Sequence, residues 1–449
     1  MTRAMMQTRT SLIEIVSSKP DQLARARKII SEIKTAESVD FCLALGATAI
    51  SDIEGISAAG ASAEARRLTP KLDAEALLTG RTASGDPLPS SPAGVTSPVV
   101  ISRACLSLVP HTVQIVDCGA FVPPDVVHIK TQGQPGKNIE HFDSMDISQV
   151  RDLYVQGRTM ALLRFGNGDG RKIADSRKIA DIQENEGRKT CRLPVLAECV
   201  PGGTTTALAV LKALGVKADK LLSSSIPGAR DKQAQIVAAA VQRLDVQLRP
   251  GQLSQLCLTE PLRAVSFLGD PMQAFAAGFT VGSLEASSQG SGPKAVVLAG
   301  GSQMLALYAL VRALAQSPCA DWVCNDRQLL SDLISERLIV VTTKWVAQDP
   351  FGNTASLAEL VDAPYVAACP DFKLSRHEGL RAYEDGHVKE GVGAGGSLLL
   401  AALLGTADGS KQNDGAAELD ERAIITTIDN FYDQIILSSS SRRAKDHQD

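Results

Sequence analysis

The chain has 449 residues, 44% hydrophobic and 21% charged, a balance too apolar for disorder and long enough for one elaborate domain or two ordinary ones. A formal net charge of −4 gives no sign of a nucleic-acid surface or a polybasic membrane anchor, so an anionic substrate has to be held locally by a few cations and backbone amides. Aromatic residues are scarce, at 4%, and the Ala, Leu, Val and Gly that dominate instead suit a parallel sheet packed by small-residue helices.

The first residues, MTRAMMQTRTSLIEIVSS, contain no long apolar run and no small-residue cleavage pattern, so no signal peptide is expected. Apolar spacing predicts helices over Leu23 to Ile33 and Ala61 to Leu68, and Thr69-Pro70 reads as an N-cap and first position opening another short helix to Leu78. The stretch from Thr79 to Pro98, rich in Gly, Ser, Thr and Pro, reads as a linker or long surface loop. After it, β-rich runs at Pro98 to Ser102, Thr112 to Val116, Pro194 to Ala197, Ala295 to Leu298 and Leu338 to Thr342 alternate with helical stretches. That alternation predicts an α/β fold, a Rossmann-like and mostly parallel sheet flanked by helices. The polar segment between Arg164 and Arg192 holds RKIAD twice and reads as a surface insertion, and the tail from Ser438 to Asp449 as frayed. The division expected is a helical N-terminal region with linker over 1–97, a nucleotide-binding core over 98–405, and a C-terminal helix with polar tail over 406–449.

Two features invite other readings. The apolar run from Ala295 to Leu314 approaches the length of a membrane span, but Gly300-Gly301-Ser302-Gln303 interrupts it, and strand, turn and buried helix account for it better. The nine cysteines are scattered. Cys42, Cys199 and Cys257 sit among apolar neighbours, and Cys319 with Cys324 lacks a second pair or a nearby His to complete a zinc set, which fits a reduced, cytoplasmic protein.

Three glycine-rich turns each open a helix, an arrangement whose free amides bind anions and which points to a phosphate- or nucleotide-sized ligand. The first, Glu198-Cys-Val-Pro-Gly-Gly-Thr-Thr-Thr206, precedes the helix Ala207 to Leu214. Gly202 and Gly203 permit close backbone approach, and Thr204 and Thr205 offer hydroxyls, but the GK[ST] ending of a Walker loop is missing. A plain capped helix is the alternative. The second, Ala299-Gly300-Gly301-Ser302-Gln303, serves tight helix–strand packing with or without a ligand. The third, Glu390-Gly-Val-Gly-Ala-Gly-Gly396, opens the helix Ser397 to Leu404. Gly391, Gly393 and Gly396 match the spacing of a dinucleotide fingerprint, yet the polar Arg381 to Lys389 stands where that fingerprint needs a buried strand. What remains is Glu390 at the mouth of a glycine turn, a place for a base or for a solvated acid before a helix.

Asp117 ends a strand, as a ligand-meeting acid or a turn former. Glu285, in an Ala-rich helical stretch, either braces a loop or works in a site. Lys232, Lys344, Arg376 and His387 are candidate phosphate cations.

Taken together, the turns resemble the nicotinate-nucleotide:dimethylbenzimidazole phosphoribosyltransferase family, in its divergent cyanobacterial and archaeal branch, from about Val113 to Gly405. Glu198 with the Gly-Gly-Thr-Thr run is similar to the family's Glu-Met-Gly-Ile-Gly-Asn-Thr-Thr loop. Asp270-Pro271 and Gly282 to Glu285 are similar to its Asp-Pro and Gly-Gly-Leu-Glu segments, and Val297 to Gly301 to its Val-Leu-Asp-Gly-Phe turn, with Ala299 in place of the Asp. Lys389 to Ala394 is similar to its Gly-Glu-Gly-Ser-Gly-Ala motif, with Lys389 in place of the Gly, and Asp117-Cys-Gly to its Asp-His-Gly. His387 stands where the family has an Arg.

The resemblance implies a larger α/β domain with a smaller helical subdomain drawn from the chain ends, a homodimer, and a cytoplasmic enzyme needing neither metal nor cofactor. Its partners would be nicotinate mononucleotide and an aromatic base. Glu390 would be the catalytic base, kept ionised by Lys389. Gly202, Gly203, Thr204, Thr205, Gly391 and Gly393 would hold phosphate or ribose, with charge from Lys232 or His387 and a further ligand at Ser375. Asp117, Glu198, Glu285 and Gly300 would complete the substrate site. The competing readings are a non-catalytic nucleotide sensor or assembly protein on the same fold, and an NAD-dependent enzyme using Gly391 to Gly396.

Overall fold

Parallel strands covered on both faces read as nearly unbroken apolar runs, and the central strands here have that character. The structure, a computed structural model, describes residues 9–10, 12–167, 192–224, 226, 228–290, 292–318, 323–410 and 419–446. The RKIAD repeat and Cys319 lie outside the described residues.

Nine strands form one sheet: β1 (Arg9–Thr10), β2 (Ile13–Ile15), β3 (Ser38–Leu45), β4 (His111–Asp117), β5 (Ile129–Lys130), β6 (Arg192–Cys199), β7 (Val296–Ala299), β8 (Leu338–Thr343) and β9 (Tyr365–Ala368). Their order is β1-β2-β9-β8-β7-β6-β3-β4-β5. From β9 to β5 every ladder is parallel, and β2 joins β9 antiparallel, with Ile13 opposite Ala368. The fold is therefore α/β with a mostly parallel sheet. β3 pairs with β4 on one side and β6 on the other. The chain thus winds outward from β3 in both directions, and such a switch point leaves a crevice at the carboxyl ends of the strands.

Alternation along β3 divides the core. Cys42 and Ala44 face one side, where helices α4 (Ile147–Phe165), α5 (Gly203–Ala213), α6 (Pro271–Ser287) and α7 (Ser302–Gln316) pack. Phe41, Leu43 and Leu45 face the other, covered by α1 (Pro20–Ile33), α2 (Ala63–Thr79), α3 (Val99–Leu106), α8 (Ala394–Leu404) and α9 (Glu421–Asp446).

The predicted strands at Thr112, Pro194, Ala295 and Leu338 are present within a residue or two of each end. Four expectations are corrected. The residues before Thr79 are not all helical, because they supply β2 and the central strand β3. The Asp in Ser-Val-Asp-Phe-Cys-Leu-Ala-Leu masks that strand; Asp40 is buried, and Arg164 (2.7 Å) and Arg192 (3.2 Å) donate to its carboxylate. Pro98 to Ser102 is not a strand but the start of α3. Its β-branched Val99, Val100 and Ile101 are buried beneath α8 and α9, and this tertiary packing outweighs their strand preference. Thr69-Pro70 does not open a helix. α2 starts earlier, where the Ser62 hydroxyl accepts from the Ala65 amide at 3.1 Å, and it runs through Pro70 because Thr69 to Leu77 are buried throughout. The tail is helical as far as Asp446.

Candidate active site at the carboxyl edge of the sheet

The segments that follow β3, β6, β7 and β8 meet at the switch point and wall a cavity of ≈ 150 Å³. Ile56 to Gly60 come from the first, Glu198 to Gly202 from the second, Gly301 to Gln303 from the third and Val346 from the fourth. Thr69 and Asp73 of α2, the loop around Pro89 to Pro98, and Val388 to Val392 before α8 close it.

Two glutamates are built into the floor. Val200 donates its amide to Glu198 Oε2 at 3.0 Å. Burial pushes the Glu198 carboxyl up to about 8, and the nearby Glu390 carboxylate adds to the rise. Glu390 is fully braced: Thr343 N (2.9 Å) and Thr342 Oγ1 (3.1 Å) donate to Oε2, and Gly391 N and Gly395 N (both 3.2 Å) to Oε1. Burial still outweighs these donors and lifts Glu390 to about 7. The two acids are tied through the backbone as well, since Val392 N donates to the Glu198 carbonyl at 3.1 Å. Val392 sits at φ 53, a left-handed conformation rare for a β-branched residue. Its carbonyl accepts from Ser102 Oγ at 2.8 Å, so both ends of the strained peptide are anchored.

The glycine turn therefore spends the amides of Gly391 and Gly395 on the Glu390 carboxylate and that of Val392 on the Glu198 carbonyl rather than leaving them for a phosphate. Its other glycines serve packing: a Cβ on Gly395 would lie 2.1 Å from the Thr342 carbonyl carbon. In the Gly-Gly-Thr turn, Gly203 N donates to the Val200 carbonyl and Thr205 N to that of Gly202, each at 2.9 Å. Gly203 must also be bare, because its Cβ would fall 2.0 Å from Gln303 Oε1. Gly202 and Thr204 line the cavity, and Thr205 Oγ1 is buried without a hydrogen-bond partner among the described residues.

Lys389 does not hold Glu390 ionised. It pairs with buried Asp349 at 2.9 Å and donates to the Ser224 carbonyl at 2.8 Å, and burial draws its ammonium down. It is nonetheless the one lysine or arginine among the residues lining the cavity.

Of the other candidates, Gly391 lines the cavity, while Gly300 and Gly393 lie behind it, Gly300 with its Cα side toward Glu198 Oε1. Asp117 forms a turn, its Oδ1 accepting from Gly119 N (3.0 Å) and Ala120 N (2.8 Å). Glu285 braces a loop: Arg158 grips it at 2.8 and 2.9 Å, and Asn325 N donates to it at 2.8 Å. Lys232 donates to the Glu54 carbonyl at 2.6 Å, His387 is exposed, and Ser375 donates to Asp429 of α9. None of these five is among the cavity's lining residues.

Sequence reasoning missed Asp73. Thr69, Asp73, Ala76 and Leu77 share one buried stripe of α2, and an acid on an apolar stripe is the signal that singled out Glu285. Burial pushes Asp73 up to about 7, against the hydroxyl of Ser97 and the thiol of Cys199. Among the described residues no cluster of three or more metal-ligating side chains occurs, and no helix is long and apolar enough to cross a membrane.

The chain is 37% identical over 397 residues to a UPF0284 protein of Gloeobacter violaceus, 88% of each chain. It is 30% identical over 401 residues to one of Saccharolobus islandicus, covering 89% of this chain and 94% of that one. It belongs to the UPF0284 family. A further UPF0284 protein, from Cyanothece, is 38% identical over 365 residues. UPF0284 thus spans cyanobacteria and archaea, the branch to which the glycine-turn motifs pointed. No protein-family model matches the chain. Among solved structures, the nicotinate-nucleotide-dimethylbenzimidazole phosphoribosyltransferase of Thermus thermophilus aligns over 91% of this chain and 96% of its own, with 16% identity and a TM-score of 0.48.

Proposed function

We propose that the chain transfers the phosphoribosyl group of nicotinate mononucleotide to a benzimidazole-type base and releases nicotinate. The observation that carries this reading is Glu390, which stands in the segment resembling the family's Gly-Glu-Gly-Ser-Gly-Ala motif and lines the cavity with a carboxyl lifted to about 7. A group poised near neutral pH is suited to taking and giving up a proton. Glu198, lifted to about 8, stays mostly protonated beside it and avoids a second full charge in the same cavity.

In the reaction, a ring nitrogen of the base attacks the anomeric carbon as the bond to the nicotinate nitrogen breaks. The leaving ring, cationic in the nucleotide, departs with the bonding pair and its nitrogen becomes neutral. The proton lost from the incoming base goes to Glu390. Gly202, Thr204 and Lys389, which line the cavity, hold the phosphoribosyl end, and the cavity walls align the two rings.

Purified protein with nicotinate mononucleotide and dimethylbenzimidazole is expected to release nicotinate, followed by chromatography, and Glu390→Gln to slow that release at saturating substrate by about 10²-fold or more. Near-normal turnover in the variant removes Glu390 from the role. The four donors on Glu390 support a second reading, a brace in a non-catalytic nucleotide sensor, which predicts mononucleotide binding with no nicotinate released.

A further inference from the structure

The charge-bearing side chains in the cavity lining other than Lys389 are the acids Asp73, Glu198 and Glu390, so an anionic substrate group has Lys389 to meet. An ammonium carries three N–H donors. Two are spent, on Asp349 Oδ2 at 2.9 Å and on the Ser224 carbonyl at 2.8 Å, and the third is uncommitted among the described residues. Ser223, Ser224 and Ser302 also line the cavity. Ser223 N donates to Ser302 Oγ at 3.0 Å, which leaves the Ser302 hydroxyl with its proton to donate.

A lysine paired with an aspartate alone offers little charge to a third group, and a second cation changes the sum. The Asp349 carboxylate is wholly buried, and its Oδ2 also accepts from Ser223 Oγ at 2.7 Å and Arg230 Nη2 at 3.1 Å, while Oδ1 accepts from Phe351 N at 3.0 Å. Burial raises this carboxyl, but the bonds from Ser223, Lys389 and Phe351 hold it below its ordinary value, so Asp349 is a fixed negative charge. Arg230, in the first turn of the helix Ala229–Leu248, lies over the Phe351 ring at 5.7 Å. Neither Arg230 nor Asp349 is among the lining residues. Two cations against one carboxylate leave a single net positive charge, and Lys389 is the member of the cluster that the cavity sees.

We infer that Asp349 and Arg230 are positioning residues for the phosphate of the substrate. Asp349 fixes the Lys389 ammonium in the wall, and Arg230 offsets the charge of Asp349 so that the charge of Lys389 remains for the phosphate. The inference rests on the proposed transfer reaction and extends it to two residues that touch no substrate. Lys389 stands where the resembling motif has Gly, so the cluster that sets its charge is a device of this chain.

The test compares calorimetric affinities for nicotinate mononucleotide and for nicotinate riboside, the same molecule without its phosphate. Arg230→Gln keeps an N–H for Asp349 and removes the charge; it should lower the mononucleotide-to-riboside affinity ratio about tenfold and leave riboside affinity unchanged. Arg230→Lys should retain most of the ratio. Combining Arg230→Gln with Asp349→Asn removes one charge of each sign and should bring the ratio back to within about threefold of wild type. A mere brace predicts the reverse, a double variant at least as impaired as the single and both ligands weakened together. That result overturns the inference, as does a ratio unchanged in Arg230→Gln or a wild type that binds both ligands equally or neither. Should Arg230→Gln melt well below the wild type, the double variant decides: a restored ratio upholds the inference and a lowered one overturns it. Mononucleotide binding that follows these expectations with no nicotinate released removes the transfer reaction and leaves the inference standing. Nicotinate release with a ratio indifferent to Arg230→Gln does the opposite.

Discussion

Replacing Glu285 with Ala separates a structural acid from a working one. Arg158 and Glu285 join α4 to α6 with side chains 8% and 9% exposed, through two hydrogen bonds at 2.8 and 2.9 Å. The same carboxylate receives Asn325 N, and the guanidinium donates to Asn325 Oδ1 at 2.9 Å. Truncating Glu285 leaves a buried guanidinium without its carboxylate. Loss of one partner of a buried pair costs about 3–5 kcal/mol, a change of roughly two to three and a half orders of magnitude in the folded-to-unfolded ratio. Replacing both, as Arg158→Met with Glu285→Leu, removes the uncompensated charge and should recover most of that loss. Urea unfolding followed by circular dichroism measures both, with nicotinate mononucleotide affinity determined on the same proteins. The reasoning is refuted if Glu285→Ala unfolds within about 1 kcal/mol of wild type, if the double variant is as unstable as the two losses added, or if Glu285→Ala folds normally but loses the ligand.

Stability should fall as pH rises from about 5 to about 8. Glu198, Glu390 and Asp73 hold their protons more tightly folded (about 8, 7 and 7) than their ordinary values of 4.5, 4.5 and 3.8, so the folded chain binds the extra protons across that window. The stabilisation is complete below the ordinary values and is lost as pH passes through the raised ones; a urea midpoint that climbs from pH 5 to 8.5 contradicts it. Gly395→Ala forces a Cβ to 2.1 Å from the Thr342 carbonyl carbon, and should cost about 1–3 kcal/mol or more in a thermal melt. Ser102→Ala frees the carbonyl of strained Val392. It should cost about 1–3 kcal/mol for the orphaned buried acceptor and shift the pH dependence of nicotinate release, because Val392 N also anchors Glu198.

Local chemistry made much of this readable in advance. The strands at Thr112, Pro194, Ala295 and Leu338 are apolar runs of parallel-strand length, and the turns after them could be placed from their glycines. Glu198, Gly202 and Thr204 sit in one of those turns, Glu390 and Gly391 in a glycine turn that follows a polar stretch instead, and the structure brings all five to one cavity. The cations were not legible, because an isolated Lys or His in a polar stretch carries no sign of where it points: Lys232 and His387 are not among the residues lining the cavity, and Lys389, read as the charge that keeps Glu390 ionised, lines it while paired with Asp349. β3 was hidden by Asp40, whose charge makes sense only once Arg164 and Arg192, far along the chain, are beside it.

By itself the sequence determined the alternation of strands and helices, and with it a parallel sheet, since burial on both faces demands apolar runs and crossover helices. It also determined which turns would lie at the sheet's carboxyl edge. Tertiary structure decided the winding about β3, the helical state of Val99 to Leu106, and the convergence of Asp73 with Glu198 and Glu390. These depend on contacts between residues tens to hundreds of positions apart, and the burial that lifts three carboxyls toward neutral pH exists only where those segments meet.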